Sequence, residues 1–141
     1  TSPGPDQNSV RVLLKNLVWN IVCRWTDFLT SDGEKPWLAR YAEFVDEEGV
    51  EAAAGEAWIA GWDLLFATLR ALRPEDLERS VTIRGEPHPV VEALLRQVAH
   101  YAYHVGQIVQ LARLHLGEDW TSMSVPRGGS DAFNRERGHE S

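Results

Sequence analysis

Two histidines stand four residues apart, His100 and His104, in the segment HYAYHVGQIVQLAR at 100–113. Residues four apart lie on one face of a helix, with their Cβ atoms about 5–6 Å from each other. Two imidazoles in this arrangement can hold a transition-metal ion, and zinc proteases use the same spacing in their HExxH motif. No glutamate follows His100, so the general base of that motif is absent. The pair therefore indicates half of a metal site.

A complete metal site needs more ligands than this pair supplies, because catalytic zinc is held by three protein ligands and a water molecule. His88 precedes the predicted helix, and His115 lies about 16 Å from His104 by helical rise, so neither is well placed. The alternative is that both histidines are polar residues at the edge of an apolar helix face, hydrogen-bonded or solvated. Their spacing alone leaves both interpretations open.

Three long segments with helical periodicity can position these residues. The three helices are predicted at about 9–30, 48–72 and 89–116. Pro74 ends the second helix and Gly117 follows the third. SVTIRG at 80–85 predicts one short extended segment, and the tail, rich in Gly, Ser and Asp, predicts no helix. The fold class is therefore all-α, an up-and-down helical bundle in a single domain over 1–141.

Helical wheels predict which side chains face the core and which face a cleft. The third helix carries a broad apolar arc that we expect to be buried. The arc contains Val91, Leu94, Leu95, Val98, Ala102, Val105, Ile108, Val109 and Ala112. His100 and His104 lie off one edge of this arc. On the first helix a separate polar sector can line the same cleft, and its members are Asn16, Trp19, Asn20 and Cys23.

Composition narrows the class of protein. The net charge is −7 and no basic cluster stands out, so nucleic acid is not an expected partner. The hydrophobic fraction of 43% and the charged fraction of 25% are ordinary for a soluble protein. The single cysteine, Cys23, excludes an internal disulfide, and no signal peptide or long apolar run is present. We therefore expect a cytoplasmic protein with a small-molecule partner and no membrane partner.

The chain resembles the DinB superfamily, in particular its small bacterial members of unassigned function. The resemblance rests on NSVRVLLKNLVWNIVCRWTDFLTSDGEKPW (8–37), VTIRGEPHPVVEALLRQVAHYAYHVGQIVQLAR (81–113) and WTSMSVPRGGSDAFN (120–134). The runs HxxxHVGQI and SVPRGxS are its more specific parts. The resemblance implies a four-helix bundle, often dimeric, with a divalent metal such as nickel or zinc bound by three histidines between helices. Better-understood relatives are metal-dependent transferases that use low-molecular-weight thiols.

Two of the three implied ligands match this sequence, His100 and His104. The third is expected in a motif like LVKHLAGN, where this chain has LLKNLVWN, so Asn16 stands at the histidine position. An amide oxygen is a weaker ligand than imidazole for transition metals. Val18 and Trp19 also replace what are usually small residues. The family pattern places a further helix before residue 9, which we expect this chain to lack, so that a second copy or an upstream segment completes the bundle.

Three functions are left open by this pattern. The first is a metal-dependent enzyme of the thiol-transferase or hydrolase type, with Asn16 or water completing the metal shell. The second is a small-molecule-binding bundle, natural or engineered, that uses the same cleft without metal. The third is a structural homodimer whose metal site has decayed. Because the departures cluster on one face of the first helix, we favour an altered metal site over an intact one, and we assign no catalytic residue.

Overall fold

The computed structural model describes residues 8–35 and 51–138, with the backbone alone for 51–54. These ranges form four α-helices and one two-stranded antiparallel sheet, which confirms a mainly helical fold. The helices are α1 Val10–Trp25, α2 Glu51–Ala71, α3 Val90–Leu116 and α4 Ser130–Glu136. The strands are β1 Ser80–Ile83 and β2 Glu86–Pro89. Short 3-10 turns lie at Pro74–Glu78 and Gly117–Asp119. The predicted start of the second helix at 48 falls outside the described residues.

Helix α1 is shorter than predicted. It starts after Ser9, whose hydroxyl accepts a hydrogen bond from the Val12 N–H at 3.2 Å and caps the helix. It ends at Trp25, because Thr26 is extended and Asp27 adopts a φ of +50°. A helix cannot continue through a left-handed residue, and aspartate tolerates that conformation better than most side chains do. The predicted end at residue 30 was therefore wrong.

The core lies where α1 packs against α2 and the start of α3. Its fully buried side chains include Leu17, Ile21 and Val90, and each contributes about 1.5–3 kcal/mol through burial. Gly61 of α2 lies against Ile21 of α1, where a Cβ would make an ordinary van der Waals contact at 3.4 Å with the Ile21 Cγ2. The Thr68 hydroxyl donates a hydrogen bond to the Trp25 carbonyl at 3.3 Å. These contacts hold α1 in place as the wall of a cleft.

A β-hairpin connects the second and third helices. β1 pairs with β2 from Ser80 opposite Pro89 to Ile83 opposite Glu86. The two-residue turn has φ values of +55° at Arg84 and +77° at Gly85, as a type I′ turn requires. The predicted extended segment at 80–85 is thus β1, but the prediction missed β2. The sequence of β2, EPHP, contains two prolines that cannot donate to a ladder, so it does not read as a strand.

Helix α3 buries a face that only partly overlaps the predicted one, since Leu94 and Ile108 of the predicted arc are partly buried against the core. Its buried residues are Val90, Ala93, Gln97 and Tyr101. Much of the predicted arc is exposed instead, with exposures of 44% at Val91, 65% at Leu95, 65% at Val98 and 40% at Val105. The Val90 N–H donates to the Arg79 carbonyl at 2.9 Å, and the Tyr101 hydroxyl is bonded to α1, so both anchors turn this other face inward. Exposed apolar residues alone do not establish an interface, so the homodimer stays a prediction.

The chain divides into two compact units, Thr1–Val109 and Gln110–Ser141. The second unit contains α4, so the prediction of a tail without a helix was wrong. Its first turn closes with a hydrogen bond from the Phe133 N–H to the Gly129 carbonyl at 3.0 Å. The predicted single domain stays a prediction. Among the described residues, no helix is both long and apolar enough to cross a membrane.

Candidate functional site

A cavity of about 150 Å³ lies within the first unit, between α1, α3, the loop at 31–35 and the β-hairpin. Its lining consists of Asn16, Trp19, Asn20, Cys23, Arg24, Glu34, Arg84, Arg96, Gln97 and His100. One water molecule needs roughly 10–15 Å³ of such space, and drug-sized ligands occupy about 300–1,000 Å³. The size therefore suits a small organic molecule.

The structure brings five of the six predicted ligand-binding residues to this cavity. They are Asn16, Trp19, Asn20, Cys23 and His100. The four from α1 lie on one helical face, because residues three and four apart are neighbours on a helix. His104 does not line the cavity, but its ring lies 4.7 Å from the His100 ring, centroid to centroid, at an interplanar angle of 79°. The histidine pair is therefore a unit at the edge of the cavity.

Sequence reasoning missed the charged half of the lining. Arg24 follows Cys23 and lies four residues after Asn20 on α1. A wider sector of the α1 helical wheel therefore includes Arg24. Arg96 and Gln97 lie four and three residues before His100, and the same argument on α3 reaches them. Helical spacing was the available signal for these three residues. Glu34 and Arg84 come from a loop and a hairpin turn, and no spacing in the sequence links them to the helices.

The cavity is electropositive. Its described lining residues include three arginines, Arg24, Arg84 and Arg96, and one carboxylate residue, Glu34. Arg24 is only 6% exposed, and its Nη1 donates a hydrogen bond to the Gly33 carbonyl. Burial lowers the pKa of the Arg24 guanidinium, and Glu34 opposes that shift. A buried cation that is incompletely neutralised favours an anionic ligand.

Several polar atoms around the cavity still need a hydrogen-bond partner. The buried Asn20 Oδ1, Gln97 Oε1 and His100 Nε2 have none among the residues that the structure describes. The same holds for the Arg24 Nε. Buried polar atoms are nearly always paired in folded proteins, because an unpaired one costs about 1–3 kcal/mol. A bound polar molecule can supply the partners that these four atoms lack.

The electrostatic environment keeps His100 neutral. Burial of the ring lowers the pKa of His100 to about 4, and the nearby His104, Arg24 and Arg96 contribute to the same shift. His100 is therefore uncharged at neutral pH and presents a neutral ring nitrogen to the cavity edge. The His104 Nδ1 is hydrogen-bonded to the Gln107 Oε1 at 2.8 Å, which fixes the orientation of the second ring.

Asp32 positions the loop side of the cavity against the hairpin. Its Oδ1 accepts hydrogen bonds from the backbone N–H groups of Glu34 at 2.7 Å and Arg84 at 2.8 Å. Its Oδ2 accepts from the Gly85 N–H at 2.7 Å. These bonds favour the ionised carboxyl, with the one from Glu34 contributing most, and they lower the pKa of Asp32. Asp32 thereby fixes the backbone that carries Glu34 and Arg84.

We predict that Asp32→Asn lowers the free energy of unfolding by about 1–2 kcal/mol at neutral pH, allowing for solvent screening. The amide Nδ2 would face the Gly85 N–H, so two donors would oppose each other. Because the pKa of Asp32 is lowered in the fold, the parent should lose this advantage as pH falls below about 4. Urea unfolding across that range measures both effects. Asp63→Asn, at an exposed position on α2, is the control, and an equal loss there would contradict the role of Asp32.

The residues present do not fit the three-histidine metal set that the resemblance implies. The rings of His100 and His104 are adjacent and the first is neutral, so the pair itself suits a metal. However, the described residues contain no group of three His, Cys, Asp or Glu that could hold an ion. Asn16 lines the cavity where the resemblance places the third imidazole, and an amide oxygen is a weaker ligand for transition metals.

Comparison with known proteins places the chain in one family. Residues 1–129 match the model of a family described as "Protein of unknown function (DUF1572)". No curated protein and no solved structure matches the chain significantly. The match covers most of the chain, including every residue that lines the cavity.

Proposed function

The chain belongs to the DUF1572 family, and from the geometry of the cavity we propose that this member binds a small organic anion there without a bound metal ion. The observation that carries the proposal is the charge of the lining. Among the described lining residues, Arg24, Arg84 and Arg96 outnumber the one carboxylate, that of Glu34, although the whole chain has a net charge of −7. A local cluster of positive charge on an acidic protein attracts anions.

The unpartnered polar atoms support an organic ligand rather than a simple inorganic ion. Asn20, Gln97 and His100 each present a buried atom that has no hydrogen-bond partner in the described part of the chain. Specificity in small-molecule sites comes from a few polar groups placed in this way around the ligand. The indole of Trp19 adds an apolar surface against which the carbon skeleton of a ligand can pack. The proposed ligand therefore has an anionic group, a second polar group and a short carbon skeleton.

Trp19 provides the readout that tests this proposal. We expect small carboxylates or phosphates to change the tryptophan fluorescence and to release or absorb heat in calorimetry, whereas their neutral amides should not bind. Arg96→Gln should raise the dissociation constant about tenfold, since it removes a charged partner. Trp19→Phe should remove the fluorescence response and keep the calorimetric one. Equal binding of neutral and anionic compounds, or binding of neither to a folded protein, would overturn the proposal.

A second candidate is a DinB-like, metal-dependent enzyme of the thiol-transferase type. The observation that favours it is the hydrogen bond between the His104 Nδ1 and the Gln107 Oε1, because metal-binding histidines commonly donate their other ring nitrogen to such an acceptor. The candidate requires a third ligand, which Asn16 or water would have to supply. About one zinc or nickel ion per chain in the purified parent protein would favour this candidate over the metal-free pocket.

A further inference from the structure

One carboxylate already lies between two of the cavity's guanidinium groups. The Glu34 Oε2 is 3.6 Å from the Arg24 Nη1 and 3.3 Å from the Arg84 Nε. The planar guanidinium group of arginine matches the planar carboxylate group, so Arg24 and Arg84 together form a carboxylate-binding subsite. We propose that Glu34 stands where the carboxylate of the ligand binds, and that a small hydroxycarboxylic acid displaces it. This inference rests on the proposed function and names the ligand class for the same cavity.

The subsite has binding capacity that Glu34 does not use. Arg24 is more than nine-tenths buried and lines the cavity, yet its Nε has no hydrogen-bond partner within the described part of the chain. Arg24 itself is held in place, because its Nη1 donates to the Gly33 carbonyl. A ligand carboxylate can therefore meet a fixed guanidinium that still has a donor to offer. The second oxygen of that carboxylate can reach the other guanidinium, that of Arg84.

The loop that carries Glu34 is held by hydrogen bonds that do not involve the Glu34 side chain. Its side chain is 33% exposed, so rotation toward solvent exposes an ionised group that water stabilises. The backbone around it is fixed independently, since the Glu34 N–H donates to the Asp32 carboxylate at 2.7 Å. The same carboxylate binds the backbone of Arg84 and Gly85. These bonds hold the loop backbone in place when the Glu34 side chain gives up its two guanidinium contacts to a ligand carboxylate.

The other end of the ligand is indicated by the polar atoms on α1 and α3. Asn20, Gln97 and His100 each present an atom without a partner in the described ranges, and Gln97 is only 3% exposed. A hydroxyl both donates and accepts, so it can pair with an amide or an imidazole in either orientation. Arg24 lies one helical turn, about 6 Å, beyond Asn20 along α1. A carboxylate and a hydroxyl separated by one or two carbon atoms span such a distance together with their hydrogen bonds.

Lactate is the probe for this inference, compared with propionate, lactamide and inorganic phosphate by calorimetry. We expect lactate to bind the parent more tightly than the other three compounds. Glu34→Gln should lower the dissociation constant of lactate about tenfold, because it removes the internal competitor, and Arg84→Gln should raise it about tenfold. Glu86→Gln removes the same charge from an exposed position on β2, so this control should leave the constant within about twofold of the parent value.

Each result that differs from these expectations overturns a different part of the inference. Equal binding of lactate by the parent and by Glu34→Gln would show that Glu34 is not displaced, while the anion-binding function would stand. An equal gain in Glu86→Gln would show a general effect of charge and also refute displacement. Tighter binding of phosphate, or equal binding of propionate, would overturn the hydroxycarboxylate class. Failure of every anion to bind any variant would overturn the proposed function as well.

Discussion

Replacing Asn16 with histidine is expected to give a protein that retains about one zinc or nickel ion per chain, whereas the parent should retain almost none. Asn16 and His100 line the same cavity, and His104 adjoins His100, so the new imidazole would add a third nitrogen donor to the cavity that the histidine pair borders. An amide oxygen does not replace imidazole for these ions. Elemental analysis after loading with zinc or nickel and dialysis measures the difference. The effect is large because a site with three protein ligands retains its ion through dialysis, whereas a site with two protein ligands loses it.

Two control variants isolate the cause of such a gain. Asn16→Gln keeps an amide at the position and should stay empty, and Asn16→His combined with His104→Ala should lose the ion again. Metal in the parent protein at one ion per chain would contradict the metal-free pocket and favour the thiol-transferase candidate. An empty Asn16→His protein that folds normally would show that position 16 does not meet the histidine pair, which would contradict the arrangement of ligands implied by the DinB resemblance.

The part of the site that could be predicted is the part that one helix encodes by itself. Asn16, Trp19, Asn20 and Cys23 share a face of α1 because of helical spacing alone, and the structure places all four around the cavity. Glu34 and Arg84 reach the same cavity through chain segments fifty residues apart. Asp32 makes that approach possible by binding backbone groups of the hairpin turn. Such a long-range backbone contact leaves no periodic signal in a sequence.

The fold shows the same division between local and long-range causes. The three long helices follow from apolar periodicity, but the buried face of α3 does not, since its apolar arc is wider than the surface that the core can cover. Tyr101 lies outside the predicted arc and is only 8% exposed, whereas Leu95 lies within the arc and is 65% exposed. A hydrogen bond to α1 selects the face that includes Tyr101. The orientation of α3 thus includes a polar contact that hydrophobic periodicity does not report.

That contact predicts the largest change in stability from the loss of a single atom. The Trp25 Nε1 donates to the Tyr101 hydroxyl at 2.7 Å, and the two side chains are 3% and 8% exposed. Tyr101→Phe removes the acceptor and leaves a buried N–H without a partner, so it should lower the free energy of unfolding by about 1–3 kcal/mol. Tyr103→Phe on the same helix is the control, because Tyr103 is 64% exposed and its loss should stay within about 0.5 kcal/mol. Equal losses at the two positions would contradict the role of this bond.

Two further measurements separate the hydrogen bond from general packing. In a double-mutant cycle, Trp25→Phe with Tyr101→Phe should cost less than the sum of the single changes by about 1–2 kcal/mol, because the double variant leaves no orphaned donor. Burial raises the pKa of the Tyr101 phenol, so the folded protein keeps a proton that the unfolded chain releases above about pH 10. The parent should therefore lose stability as pH rises beyond that value, by at most about 1.4 kcal/mol per pH unit, and Tyr101→Phe should lose less over the same range. Additive costs and parallel alkaline profiles would assign the stabilisation to apolar contact alone, and the orientation of α3 would then need a different cause.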